Sequence, residues 1–487
     1  MSSSADSAST TIRADGDGTP TAGATLRTRH LLLMIVAAAA PLGVAIGNLP
    51  IGIVLGNGIG LPAAFLAAAI IIACLATGFI RLARQVRAEG GFADLVRAGL
   101  GEGAGLGVAY VTGIAYWTGS LALAASTGYF GNLIAHSHGI DIPWWVYSFV
   151  AYGIILTLGR RAADLSARLL LALMVAEVAV VVALDLAIIV NHGASAFPVD
   201  VFALSHALSG NLGPAVLIGF TSFIGVESAV LYTRETRDPG RSVPRATYGA
   251  VVAIGALYVL TAWLIIGSLG TSTAVAKAGE LQGDLVFTVA GNELGSTFTI
   301  VVQIFFVTSL MACFIALHNA SSRYTHTLAD RGALPRTLAT LHPTFRSPAR
   351  ASTALAGIGL LLFIAFAATG ADPYIGLATS LTGLFTLGIV AAQALVAISV
   401  VVYFIRNGAR FAWSTVTAPL LGGVGALLAC AAIVANYSVL VGSNSLGARL
   451  VPLILLVALV AGFAVHAVRH RAPARRGQAP QEVVEAA

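Results

Sequence analysis

Between residues 31 and 468 the chain returns again and again to apolar runs of 20 to 30 residues, separated by short polar connections. One helix needs about 20 residues to cross a hydrocarbon layer about 30 Å thick. With 57% hydrophobic and only 10% charged residues, 487 residues cannot supply the polar surface of a water-soluble globule. Period-two alternation is absent, and in a bilayer core only helices and closed barrels satisfy the backbone, so an all-α integral membrane protein is expected. The runs predict about twelve spanning helices, at 31–56, 61–81, 103–130, 143–159, 166–190, 212–233, 246–270, 295–325, 351–369, 374–403, 412–436 and 449–468.

The arm at 1–30 and the tail at 469–487 are polar and aperiodic, so both are expected to be disordered and to flank a single transmembrane domain at 31–468. Cys74, Cys313 and Cys430 fall inside separate predicted helices, which argues against a disulfide framework or a metal cluster. If the helices alternate in direction, 25 of the 26 arginines lie on one face, while Lys277 and Arg449 lie on the other. Such a bias marks the cytoplasmic side of a cell membrane and puts both ends of the chain there. The net charge of +6 therefore reflects topology, and nucleic-acid binding is not expected.

Two of the predicted helices are interrupted. Helix 1 carries Pro41, Gly43, Gly47, Asn48 and Pro50 near mid-span, and helix 6 carries Gly219, Thr221, Ser222 and Gly225. The two start five helices apart, and unusually long third members, 103–130 and 295–325, occupy matching places. That is the pattern of two inverted five-helix repeats, 1–5 and 6–10, with a binding site at their interface and two peripheral helices after them. Unwinding a helix in the membrane frees N–H and C=O groups that cost several kcal/mol each unless something polar meets them. A half-helix starting after a break offers N–H groups to an anion, and a half ending at a break offers carbonyls to a cation. A zwitterion such as an amino acid matches both. The competing reading is that these glycines only allow close helix packing.

The run FIGVES followed by ETRDPGRSVPRA resembles helix 6 and its following loop in the amino acid–polyamine–organocation transporters, including the bacterial amino acid exchangers. AEGGFADLVRAGLG, SARLLLALMVAE and LADRGALP resemble the family's segments after helix 2, at the start of helix 5 and at the end of helix 8, so the resemblance spans 31 to about 410. It implies the five-plus-five fold and alternating-access transport of an amino acid or related amine. Carried over by position, it places the carboxylate-binding segment on Gly43, Val44, Ala45, Ile46, Gly47 and Asn48. The helix 6 pocket falls on Phe220, Thr221, Ser222, Phe223, Ile224 and Gly225, with Trp117 and Ser120 facing it from helix 3. The chain departs from the family at Leu49, where a flexible glycine is common. It also has Thr221 where the arginine exchangers place an aromatic, which favours a neutral substrate over a large cationic one.

Three carboxylates fall deep in predicted helices, where acids are costly by about 2.5 kcal/mol or more. Glu177 lies nine residues past Arg168, near mid-membrane; the family resemblance implies that this position matches one where some proton-coupled members have a lysine standing in for a sodium ion. It is expected either to load and release a coupling proton or to be a permanently protonated structural acid. Glu227 follows the helix 6 break and reads as a proton carrier, a gating group or a cap for freed N–H groups. Asp185 lies about five residues from the end of helix 5 and is expected to reach water.

The glycine series GLGEGAGLG at 99–107 follows no strand, and no GxxxxGK[ST] loop is present, so no cofactor is expected and a self-contained ATP-driven pump is excluded. His326 with Asp330 reads as a pair of solvated helix-end residues, and His136 with His138 could bind a metal only with further ligands, which the sequence does not offer. An enzyme requires convergent nucleophile, base and acid groups, and none stands out. A channel requires a continuous polar stripe. The expected function is secondary transport of an amino acid or amine, proton-coupled or exchanging. Another small solute, such as a polyamine or nucleobase, and sodium coupling stay open.

Overall fold

The structure, a computed structural model, describes residues 27–86, 91–160, 167–230, 236, 238–345 and 347–471. Ten helices among them are long and apolar enough to cross a membrane. These are helix 1 (Thr28–Leu55, interrupted), helix 2 (Leu61–Ala83), helix 3 (Glu102–Ser137), helix 5 (Ala167–His192) and helix 7 (Pro239–Leu269). The others are helix 8 (Ser296–Asp330), helix 9 (Ala349–Ala367), helix 10 (Pro373–Arg406), helix 11 (Trp413–Ala435) and helix 12 (Leu453–Arg471). Two shorter apolar helices fill the fourth and sixth places: helix 4 (Trp144–Arg160), and helix 6, which runs over Leu212–Thr221 and resumes after a turn at Val226–Val230. The polar arm and tail expected at the ends lie for the most part outside the described residues.

Helices 3 and 8, the third members of the two repeats, are the longest, as expected. Each opens on a glycine in almost the same conformation, Gly101 at φ 91°, ψ 175° and Gly295 at φ 85°, ψ 170°. Only glycine enters that region without strain, so the two halves turn into their third helix by one device. Helix 7 begins seven residues earlier than the expected 246. Pro239 occupies its first turn, where a missing N–H costs nothing, so the proline-rich stretch starts a helix instead of extending a loop.

Helix 3 runs through the middle, packed against helices 8, 10 and 12. The glycine series at 99–107, which runs from the short helix Phe92–Leu100 into the first turns of helix 3, packs closely on its neighbours except at Gly101. A Cβ on Gly99 would fall 2.2 Å from Ser399 Oγ, one on Gly107 would fall 2.7 Å from the Leu459 carbonyl, and one on Gly462 of helix 12 would fall 2.3 Å from the Gly107 backbone. Lipid tails are as apolar as leucine, so helices associate here through close backbone approach. Gly462→Leu should therefore lower stability by about 1–3 kcal/mol through overpacking. The check is the thermal midpoint of the purified protein in detergent; an unchanged midpoint would show that helix 12 docks on helix 3 some other way.

Candidate functional site where two broken helices meet

Helix 1 is α-helical to Ala38, then Ala40 adopts φ 45°, ψ 68°, and the helix restarts at Pro41. Proline lacks the N–H that would continue the ladder and keeps the preceding residue out of the right-handed helix, so the break belongs to the AAAAP run. The expected segment Gly43–Asn48 lies past the break. Its first residue completes the short helix Pro41–Gly43, and Val44–Asn48 forms a π-helical turn, a widened backbone common at functional sites. In helix 6 the break falls where expected: the α-helix ends at Thr221, and Ser222 to Gly225 form a turn with Gly225 at φ 112°.

The two breaks touch. A Cβ on Gly225 would fall 2.9 Å from both Ala38 Cβ and the Ala38 carbonyl oxygen, so no side chain fits between the helices. Each break has a partner for a freed backbone group. Tyr258 Oη on helix 7 donates to the Ala39 carbonyl at 2.9 Å. The Gly225 N–H donates to Glu227 Oε2 at 2.9 Å, which assigns Glu227 a capping role among those its position suggested. The Tyr258 ring is buried between Phe65 and Phe223, with ring centres 5.7 and 6.0 Å away, so its hydroxyl is held in place by packing.

Around this junction the helix 6 residues Phe220, Ser222, Phe223 and Ile224 are buried. Ser222 Oγ turns back to the Ile218 carbonyl at 2.7 Å, while Thr221 donates to the Leu217 carbonyl and shares a hydrogen bond with Thr386 on helix 10. Glu177 is 7% exposed and accepts from Ser309 Oγ on helix 8 at 3.0 Å. Ser309 also neighbours helix 1, since a Cβ on Gly43 would lie 4.0 Å from its Oγ. Helices 1, 5 and 8 thus converge on one polar point beside the break.

Two groups of expected residues lie elsewhere. Trp117 Nε1 donates to the Leu355 carbonyl on helix 9 at 3.2 Å and packs with Leu121 and Phe314, away from the breaks. Ser120 is fully buried with its hydroxyl on the Trp117 carbonyl at 2.7 Å. Gly47 and Asn48 sit toward the arginine-poor face, where the Gly47 carbonyl accepts from Tyr374 Oη at 2.8 Å. Tyr374 stacks on Tyr129 at 4.6 Å and meets Phe130 edge-on, closing that side with aromatic rings. Asp185 does not reach water, contrary to expectation. It is 2% exposed, because helix 7 covers it and supplies Thr261 Oγ1 as donor at 2.8 Å.

On the arginine-rich side of the helix 6 break, a cavity of about 30 Å³ is lined by Phe79, Val226, Glu227, Thr247 and Gln393 among others. That is room for two or three waters at roughly 10–15 Å³ each. Sequence reasoning missed Ala39, Ala40, Tyr258, Ser309 and Thr386. Pro41 was a usable signal for the first two; the others are single polar groups in apolar helices whose partners are distant in sequence.

A family model described as amino acid permease matches residues 26–461. An uncharacterized transporter of Mycobacterium tuberculosis is 28% identical over 329 residues, covering 66% of this chain and 68% of that protein. A methylthioribose transporter of Bacillus subtilis is 26% identical over 183 residues, 38% of this chain and 36% of its own. Among solved structures, a manganese transporter of Eremococcus coleocola, in complex with an aromatic bis-isothiourea substituted compound, aligns with a TM-score of 0.53 at 15% identity. The alignment covers 93% of this chain and 98% of that one. That likeness concerns the fold.

Tyr258→Phe leaves the Ala39 carbonyl buried without its donor, and Glu227→Ala does the same to the Gly225 N–H. Each should cost about 1–3 kcal/mol, whereas Glu227→Gln keeps an acceptor and should cost less. Chemical or thermal unfolding of the three variants checks this, and equal stability of Glu227→Ala and the parent would remove the capping role.

Proposed function

The chain belongs to the amino acid permease family and is a multi-pass membrane transporter, not an enzyme, and from that premise we propose that it carries a neutral amino acid or related small amine by alternating access, with protons as the coupling ion. The observation that supports this reading is the contact between the two helix breaks, Ala38–Ala40 against Ser222–Gly225, each with freed backbone groups in a membrane-embedded bundle. A zwitterion uses both kinds of group: N–H donors at the start of a half-helix for its carboxylate, and carbonyls at the end of the other for its ammonium. The binding segment on helix 1 is proposed to begin at the Ala39–Ala40 break and continue through Gly43. Phe220, Thr221, Ser222, Phe223, Ile224 and Gly225 contribute from helix 6. Thr221, bonded to Thr386 and lacking a π-face, supports the neutral preference. The arginine bias supports a cytoplasmic membrane with both ends of the chain inside.

Reconstituted vesicles loaded with a proton gradient and offered labelled amino acids, amines, nucleobases or sugars test the substrate class. Gly225→Val should abolish binding, since its φ and the 2.9 Å approach of Ala38 leave no space. Gly47→Ala should be tolerated, because its Cβ would meet only Phe306 Cζ at 3.9 Å. The opposite ranking would move the site outward along helix 1. Thr221→Trp should weaken the native substrate at least tenfold and admit cationic analogues.

Glu177 is proposed as the coupling acid, from its place where helices 1, 5 and 8 converge. Glu177→Gln imitates the protonated form permanently. It should still exchange substrate across the membrane and fail to accumulate it under an inward proton gradient. Accumulation equal to the parent would make Glu177 a structural acid, and accumulation by the parent only with sodium would replace the proton.

A further inference from the structure

Asp185 lies eight residues past Glu177 on helix 5, about 12 Å nearer the arginine-poor face. Its carboxyl is buried, Oδ2 accepts from Thr261 Oγ1 on helix 7 at 2.8 Å, and Oδ1 is buried without a partner. Among the described residues no arginine, lysine or histidine forms an ion pair with it. The elements packed on helix 5 bring few other ionisable groups to its flanks. Helix 7 brings Tyr258, helix 8 brings Cys313, and the short helix Leu285–Leu294 brings Glu293, which is bonded to His192. Helix 1 brings Arg29 and His30 only at the opposite face, and helix 5 itself carries Glu177 and His192. A bare carboxylate with one hydrogen bond and no cation is strongly disfavoured at that depth, whereas the neutral acid is not.

The placement is ordered. Glu177, Asp185 and His192 follow one another at spacings of eight and seven residues, close to two helical turns, so they run along one side of helix 5 from mid-membrane to the arginine-poor end. Each is tied to a different neighbour: helix 8 through Ser309, helix 7 through Thr261, and Leu285–Leu294 through Glu293. Thr261 stands three residues past Tyr258, the residue that holds the helix 1 break at Ala39.

We propose that Asp185 with Thr261 is a second proton-binding site, at the seam of helices 5 and 7 and loaded from the arginine-poor face. A proton adds to Oδ1, the oxygen without a partner, and converts the carboxylate to a neutral acid, while Thr261 keeps its bond to Oδ2. Release returns the carboxylate, which needs a closer donor and so draws on helix 7. Protonation at Asp185 thereby biases the position of the helix whose next turn holds the break. In its consequence for transport this rests on the proton-coupled reading above; the site itself does not.

The test is pH-difference infrared spectroscopy of the full-length protein in lipid without substrate, read at the carboxylic acid C=O stretch. The parent should lose acid C=O bands as pH rises, and one component should be missing in Asp185→Asn while Glu177→Gln retains it. Thr261→Val, which deletes the donor and keeps the shape, should shift that same component to higher frequency. A parent-like spectrum in Asp185→Asn overturns the proposal. Should that variant not fold, an unshifted band in Thr261→Val overturns it alone. In vesicles, Asp185→Asn should lower the number of protons moved per substrate. If the component is lost in Asp185→Asn but the parent shows no proton-driven accumulation, the coupling reading falls and the proton site stands.

Discussion

A broken helix in a membrane must find partners inside the protein for the backbone groups it frees, and in this chain two breaks meet that demand side by side. Tyr258 answers for the carbonyl of Ala39, and Glu227 answers for the amide of Gly225. The rest of the site follows from those two bonds. Helix 7 has to lie close enough to helix 1 for a tyrosine to reach it, and helix 6 has to turn back within two residues for its own acid to cap it. The close approach of Gly225 to Ala38 follows from both.

Around that junction, polar side chains act as ties between helices. Glu177 reaches helix 8, Asp185 reaches helix 7, and Thr221 reaches helix 10. The apolar remainder associates by a different rule, in which glycines let backbones approach: Gly107 with Gly462, Gly99 with Ser399 and Gly422 with Leu75. The glycines at the head of helices 3 and 8 and at the helix 6 break are there for backbone conformation, since their φ values are closed to other residues at low cost.

Much of the fold was legible because hydropathy is a local property. Counting apolar residues over about 20 positions finds a spanning helix wherever its neighbours lie, so all twelve helices fell near their expected ranges. The helix 6 break was legible too, since Thr221, Ser222 and Gly225 interrupt an otherwise apolar run. The helix 1 interruption was legible as well, from Pro41 and the glycines after it; that the chain parts at Ala40 follows from the restriction Pro41 imposes on the residue before it.

What the sequence by itself determined is the membrane class, the number and order of helices, the two interrupted members five helices apart, and the intramembrane acids. Tertiary structure alone decided who answers those acids and those breaks. Tyr258 and Ala39 are 219 residues apart, Glu177 and Ser309 are 132, and Asp185 and Thr261 are 76. Trp117 likewise turned to helix 9 and away from the break. The physical reason is that one residue of helical rotation, about 100°, moves a side chain from one neighbouring helix to another, and that rotation is set by packing against the whole bundle. A sequence records that a polar group needs a partner; only the assembled helices specify which one is within reach.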